Sequence, residues 1–89
     1  MILIHAFYKG IVQGVGFRYT TQRIAKNFGL CGWVRNCPDG RVELKAEGPK
    51  EDVEQFMSQL EQHFCGNIRD KEIYYENHLE RFENFNITF

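Results

Sequence analysis

Cys31-Gly32-Trp33-Val34-Arg35-Asn36-Cys37-Pro38-Asp39-Gly40-Arg41-Val42-Glu43-Leu44-Lys45-Ala46-Glu47 reads as two strands folded on a turn. Residues 31–36 make the first strand. Cys37-Pro38-Asp39-Gly40 is turn chemistry, because proline presets φ and glycine admits φ > 0. Residues 41–47 then alternate, which turns Val42, Leu44 and Ala46 toward a core and Glu43, Lys45 and Glu47 outward. The flanks of this hairpin decide what covers its apolar side.

Each flank supplies a strand and a helix. Upstream, residues 2–8 are a short apolar and aromatic run suited to a buried strand. Three glycines in Lys9-Gly10-Ile11-Val12-Gln13-Gly14-Val15-Gly16 then interrupt regular structure. A helix follows over residues 18–28, with Ile24, Ala25 and Phe28 on one face and Gly29 as its stop. Downstream, Gly48-Pro49 opens a clearer helix. Val53, Phe56, Met57, Leu60 and Phe64 form one continuous stripe at helical spacing, Glu51 and Asp52 suit its first turn, and Gly66 ends it. Residues 68–76 are a weaker strand, and Phe85, Ile87 and Phe89 alternate near the end. The order β-α-β-β-α-β, with a short extra C-terminal strand, specifies a ferredoxin-like α/β plait of the α+β class. Two helices lie on one face of a mainly antiparallel sheet.

A chain of 89 residues should bury roughly 60–70% of its unfolded surface, enough for one domain over residues 1–89. With 43% hydrophobic, 15% aromatic and 26% charged residues it is not a disordered tail. No run approaches the ~20 apolar residues of a membrane span. The first apolar run lacks a basic leader and a cleavage site, so the expectation is a cytoplasmic protein. Three cysteines (Cys31, Cys37, Cys65) without a C-x-x-C suit free thiols in a reducing compartment. They and the scattered His5, His63 and His78 show no metal-ligand spacing.

The net charge of −1 divides unevenly. Residues 1–41 hold Lys9, Arg18, Arg23, Lys26, Arg35 and Arg41 against Asp39 alone, while residues 42–89 hold five bases and eleven acids. The asymmetry fits an anionic partner for the first half, or merely helix and strand faces of different charge.

Gly14-Val15-Gly16-Phe17-Arg18 leaves a strand and enters a helix. Backbone N–H groups in such a loop, with the positive end of the helix behind them, can cradle an anion. A tight βα turn would use the same residues. Arg18 weighs toward a ligand, because a cation in a first turn opposes the helix dipole and no acid offsets it over residues 18–28. A bound dianion would relieve that conflict; a solvated arginine is the alternative. Asn36, just before the turn, offers a donor and an acceptor that could hold a water beside a phosphoryl oxygen, or could bond its own backbone. Asp39 reads as a turn residue.

Val12-Gln13-Gly14-Val15-Gly16-Phe17-Arg18, followed by Gly32-Trp33-Val34-Arg35-Asn36 and Asp39-Gly40-Arg41-Val42-Glu43, resembles the acylphosphatase family. Ala46-Glu47-Gly48 and the second helix extend the resemblance over the first two-thirds of the chain. Membership implies hydrolysis of the carboxyl–phosphate bond of acyl phosphates without a metal or other cofactor. It places the phosphate-binding arginine on Arg18 and the water-positioning asparagine on Asn36. The phosphate cradle falls on the backbone of Gln13, Gly14, Val15, Gly16, Phe17 and Arg18, and Thr20, Thr21 and Gln22 match the helix start seen in the family. Gln62-His63-Phe64-Cys65-Gly66-Asn67 departs from the family's glycine-proline turn. The implied partners are a small-molecule acyl phosphate, with inorganic phosphate as product and competitor, for a monomer that binds no membrane. A non-catalytic module binding phosphate or carbamoyl phosphate is the alternative. Specific nucleic-acid binding is not expected, because such plaits use exposed sheet aromatics and residues 41–45 carry none.

Overall fold

The apolar run at the start of the chain becomes a central strand, held on both sides. The computed structural model describes residues 1–89. Its elements are β1 (Ile2–Gly10), α1 (Phe17–Asn27), β2 (Cys31–Asn36), β3 (Val42–Gly48), α2 (Lys50–His63), β4 (Ile68–Glu76) and β5 (Phe85–Ile87). The sheet order is β4-β1-β3-β2-β5. β1 pairs antiparallel with both β3 and β4, β2 pairs antiparallel with β3, and β5 runs parallel to β2. This is the ferredoxin-like plait with the extra short strand.

Period-two patterning puts Ile4, Ala6 and Tyr8 of β1 in the core with Val34, Val42, Leu44 and Ala46. The α2 stripe of Val53, Phe56, Met57, Leu60 and Phe64 packs into the same cluster, as do Phe17, Ile24 and Ala25 of α1. Each large apolar side chain buried here stabilises by about 1.5–3 kcal/mol relative to exposure. A polar pin fastens α2 to the sheet: the Tyr8 hydroxyl donates to Glu61 Oε2 at 2.9 Å, and Lys71 Nζ lies 2.6 Å from Glu61 Oε1. Burial and then the Glu61 charge raise the Tyr8 phenol far above its ordinary range, so it stays a donor.

Several boundaries differ from the sequence reading: β1 runs two residues further, to Gly10, β3 runs one further, to Gly48, and three more shift by one residue for a visible reason. α1 begins at Phe17 because Gly16, at φ 78°, turns the chain into the helix and the Phe17 ring is buried against Tyr8 and Phe64. It ends at Asn27, and the Phe28 N–H closes the last turn onto Ile24 and Ala25. β3 begins at Val42 because Arg41 belongs to the turn, where its carbonyl accepts the Cys37 N–H at 2.8 Å. The departure at residues 62–67 ends α2 at His63, before Gly66, and the Phe64 carbonyl accepts the N–H groups of Asn67 and Ile68.

The outward face of β3 is a larger correction. Glu43 and Glu47 are only 8% and 5% exposed. Glu43 sits beneath partners from β1 and β2. Glu47 accepts the backbone N–H groups of Glu80 and Phe82, where residues 77–84 cross from one edge of the sheet to the other. Lys45 pairs with Glu80 on the same crossing. Alternation located the apolar side correctly, but the far side is covered as well. No helix is long and apolar enough to cross a membrane.

Candidate active site

Between β1 and α1, residues 11–16 form a loop at one end of the sheet. Gly14 and Gly16 hold φ at 77° and 78°, where a side chain would be strained. A Cβ at either would meet nothing within 4 Å, so the space in front of the loop is open. No side chain caps α1, and no acid lies in its first turn. Outside the regular ladders, residues 12–19 donate no backbone N–H to a backbone acceptor, and Thr20 is the first to do so, to the Gly16 carbonyl at 3.0 Å. A run of free donors at a helix start can cradle an anion.

Arg18 sits in the first turn of α1 and takes part in no ion pair. Its guanidinium lies over the Phe89 ring, 5.2 Å from the centroid. Asn36 is the last residue of β2, and its Oδ1 is buried with no hydrogen-bond partner in the protein. A buried polar atom without a partner is costly, on the order of 1–3 kcal/mol, and is found where a ligand or water completes it. Gly14, Gly16, Phe17, Arg18 and Asn36 line one cleft of about 250 Å³, together with Val12, Tyr19, Ile87 and Phe89. The two motifs far apart in sequence therefore face one space.

Gln13 and Val15 do not line that cleft. The Gln13 side chain turns away, and its Nε2 donates to the carbonyls of Cys37 at 2.9 Å and Arg41 at 3.0 Å. It thereby ties the glycine loop to the turn that follows Asn36. Val12, Tyr19, Ile87 and Phe89 are the cleft residues that sequence reasoning did not assign to the site. The alternation of Phe85, Ile87 and Phe89 signalled a strand, but no local pattern could place it in parallel beside β2. The first helix is anchored to that strand by Gln22 Nε2, which donates to the Phe85 carbonyl at 3.0 Å.

No carboxylate or imidazole lines the cleft. Asp39 is a turn residue: its Oδ1 accepts the Arg41 N–H at 3.1 Å and its Oδ2 lies 2.8 Å from Arg41 Nε. The backbone N–H, ahead of the guanidinium, lowers its pKa and keeps it ionised. Cys37 follows Asn36, but burial and the Glu43 carboxylate raise its thiol, which leaves it a poor nucleophile. No three His, Cys, Asp or Glu side chains gather as a metal-holding group anywhere in the chain. Positioning and electrostatics are what this arrangement can supply.

The acylphosphatase family model matches residues 4–87. An acylphosphatase of Bacillus licheniformis is 38% identical over 90 residues, with both chains fully covered. One from Trichormus variabilis is 54% identical over 57 residues, a match covering 64% of this chain and only 56% of that relative. Among solved structures, acylphosphatase from Bacillus subtilis superposes with a TM-score of 0.91 at 34% identity, each chain covered completely.

Proposed function

The chain belongs to the acylphosphatase family, and from that premise we propose that it hydrolyses acyl phosphates to a carboxylate and inorganic phosphate. The observation that carries the proposal is the buried, unpartnered Asn36 Oδ1 in the same cleft as Arg18 and the free N–H groups of the loop. One side of such a site suits a dianion and the other a water.

In this reading the loop amides and the Arg18 guanidinium hold the phosphoryl oxygens, Arg18 through two charge-assisted bonds. Asn36 Oδ1 accepts a hydrogen bond from the attacking water and aims its oxygen at phosphorus. The new P–O bond forms as the bond from phosphorus to the acyl oxygen breaks, and the carboxylate leaves with that electron pair. A stable carboxylate needs no acid to protonate it. The proton of the water passes to a phosphate oxygen, in keeping with a cleft that carries no carboxylate or imidazole. Charge spreads over the equatorial oxygens in the loose transition state, where fixed N–H groups act most strongly. No metal takes part in this scheme.

The proposal extends to a monomer working in the cytoplasm as a single acylphosphatase-like domain. The test is hydrolysis of benzoyl phosphate in excess EDTA with inorganic phosphate as competitor. Turnover that survives EDTA and is competitively inhibited by phosphate is expected. A requirement for added metal defeats the mechanism, and phosphate binding without turnover leaves a binding module.

A further inference from the structure

The cleft has two chemically different sides, and only one is accounted for by phosphate. Of the large hydrophobic side chains that the chain exposes, Tyr19 and Phe89 line the cleft. Single exposed apolar residues are ordinary, but several gathered at a concave site mark a ligand surface. The exposures are large: 71% for Tyr19 and 98% for Phe89. Ile87, half-buried, joins them, with Val12 and Phe17 buried beneath.

We infer that this apolar side seats the acyl part of the substrate, and that Tyr19 and Phe89 select acyl phosphates with an aromatic acyl group. The inference rests on the activity proposed above. In an acyl phosphate the carbonyl carbon is separated from phosphorus by one oxygen, so any surface that reads the acyl group must adjoin the group that holds the phosphate. Phe89 meets that condition, because its ring is stacked against the Arg18 guanidinium. Tyr19 meets it by following Arg18 in the first turn of α1. A flat acyl group entering between them would cover two aromatic faces otherwise open to water, while acetyl or carbamoyl groups would leave both wet. Such contacts exist before and during reaction, so they act on KM more than on kcat.

The test compares kcat/KM for benzoyl and acetyl phosphate in the wild-type chain, Tyr19→Ala, Phe89→Ala and Tyr19→Phe, with the Ki of inorganic phosphate alongside. The wild type should favour benzoyl phosphate. Each alanine variant should lower the benzoyl-to-acetyl ratio by roughly 3–10-fold, chiefly through KM, and Tyr19→Phe should restore most of it. An unchanged ratio overturns the inference. So does an equal loss on both substrates with a raised phosphate Ki, which would mean that Phe89 serves only to hold Arg18. Failure to hydrolyse either compound overturns the activity itself, whereas turnover without discrimination overturns only the acyl surface.

Discussion

Two polar regions of this small sheet are built on opposite rules. On the face away from the helices, Glu43 is fully engaged: His5 Nε2 lies 2.6 Å from one oxygen and Arg35 Nε 2.7 Å from the other. Burial opposes its ionisation, but the hydrogen bonds from His5 and Arg35 prevail and hold its pKa below the usual carboxylate range. Nearby, Arg41 pairs with Asp39, stacks on Phe7 at 4.5 Å and approaches Glu72 at 3.7 Å. At the cleft the groups are left open. Arg18 has no counterion, Asn36 Oδ1 has no donor, and the loop N–H groups have no backbone acceptors. A cluster that satisfies itself holds the fold together. One that does not is free to bind the ligand proposed above.

Arg18→Ala should show the contrast most strongly. Loss of the guanidinium proposed to hold the phosphate is expected to lower kcat/KM by about 10³-fold and to raise the phosphate Ki. Thermal stability should hardly change, since Arg18 gives up no ion pair. A calorimetric scan beside the assay checks both halves, and a large drop in Tm would contradict the reading.

Asn36→Ala should come next, lowering kcat about 10²-fold while KM stays near its wild-type value. Removing an unsatisfied buried amide is not expected to destabilise the chain, and denaturant titration should give a midpoint no lower than wild type. Gln13→Ala lies between the two regions, because its amide bolts the loop to the turn after Asn36. A kcat loss of roughly tenfold with little change in KM is expected, together with about 1 kcal/mol of stability. Gln13→Glu, which cannot donate to two carbonyls, should behave no better; full activity in that variant would show that the tie is dispensable.

Glu43→Gln should have the smallest effect on turnover, within about twofold, and should act on stability instead. A carboxyl whose folded pKa is depressed contributes stability above its ordinary value of 4.5 and loses it as pH falls through the depressed value. The wild type should therefore weaken as pH drops below that point, and the variant should be less stable at neutral pH with a flatter acid limb. The amide oxygen of the variant can still accept a hydrogen bond from His5 or Arg35, which keeps the difference to about 1 kcal/mol. Identical pH profiles would remove Glu43 from the account.

The parts of this molecule that were legible in the sequence rest on local periodicity. The α2 stripe, the hairpin and the glycine loop each needed only a few consecutive residues, and the two motifs flanking them pointed to Arg18 and Asn36. Cross-sheet relations were not legible. Nothing within Val42-Glu43-Leu44 announces that the outward carboxylate is buried under His5 and Arg35, because its partners come from two other strands. The excess of bases in residues 1–41 misleads in the same way. Arg35 and Arg41 are neutralised on the far face, so the asymmetry in net charge says little about the cleft. The role of the Gln13 side chain also depended on a turn more than twenty residues away.

The parallel strand β5 has a consequence for how the site is assembled. Its ladder is three residues long and joins Gly32 to Phe85 and Val34 to Ile87, a closure spanning more than half the sequence. Closing so large a loop for so few bonds is unfavourable until the rest of the sheet exists to receive it. The wall that carries Ile87 and Phe89 therefore hangs on the rest of the sheet, through a ladder of only three residue pairs. A partly folded chain could present the glycine loop and Arg18, yet it would lack the far side of the cleft. Competence to discriminate substrates thus reports on the whole topology rather than on any one motif.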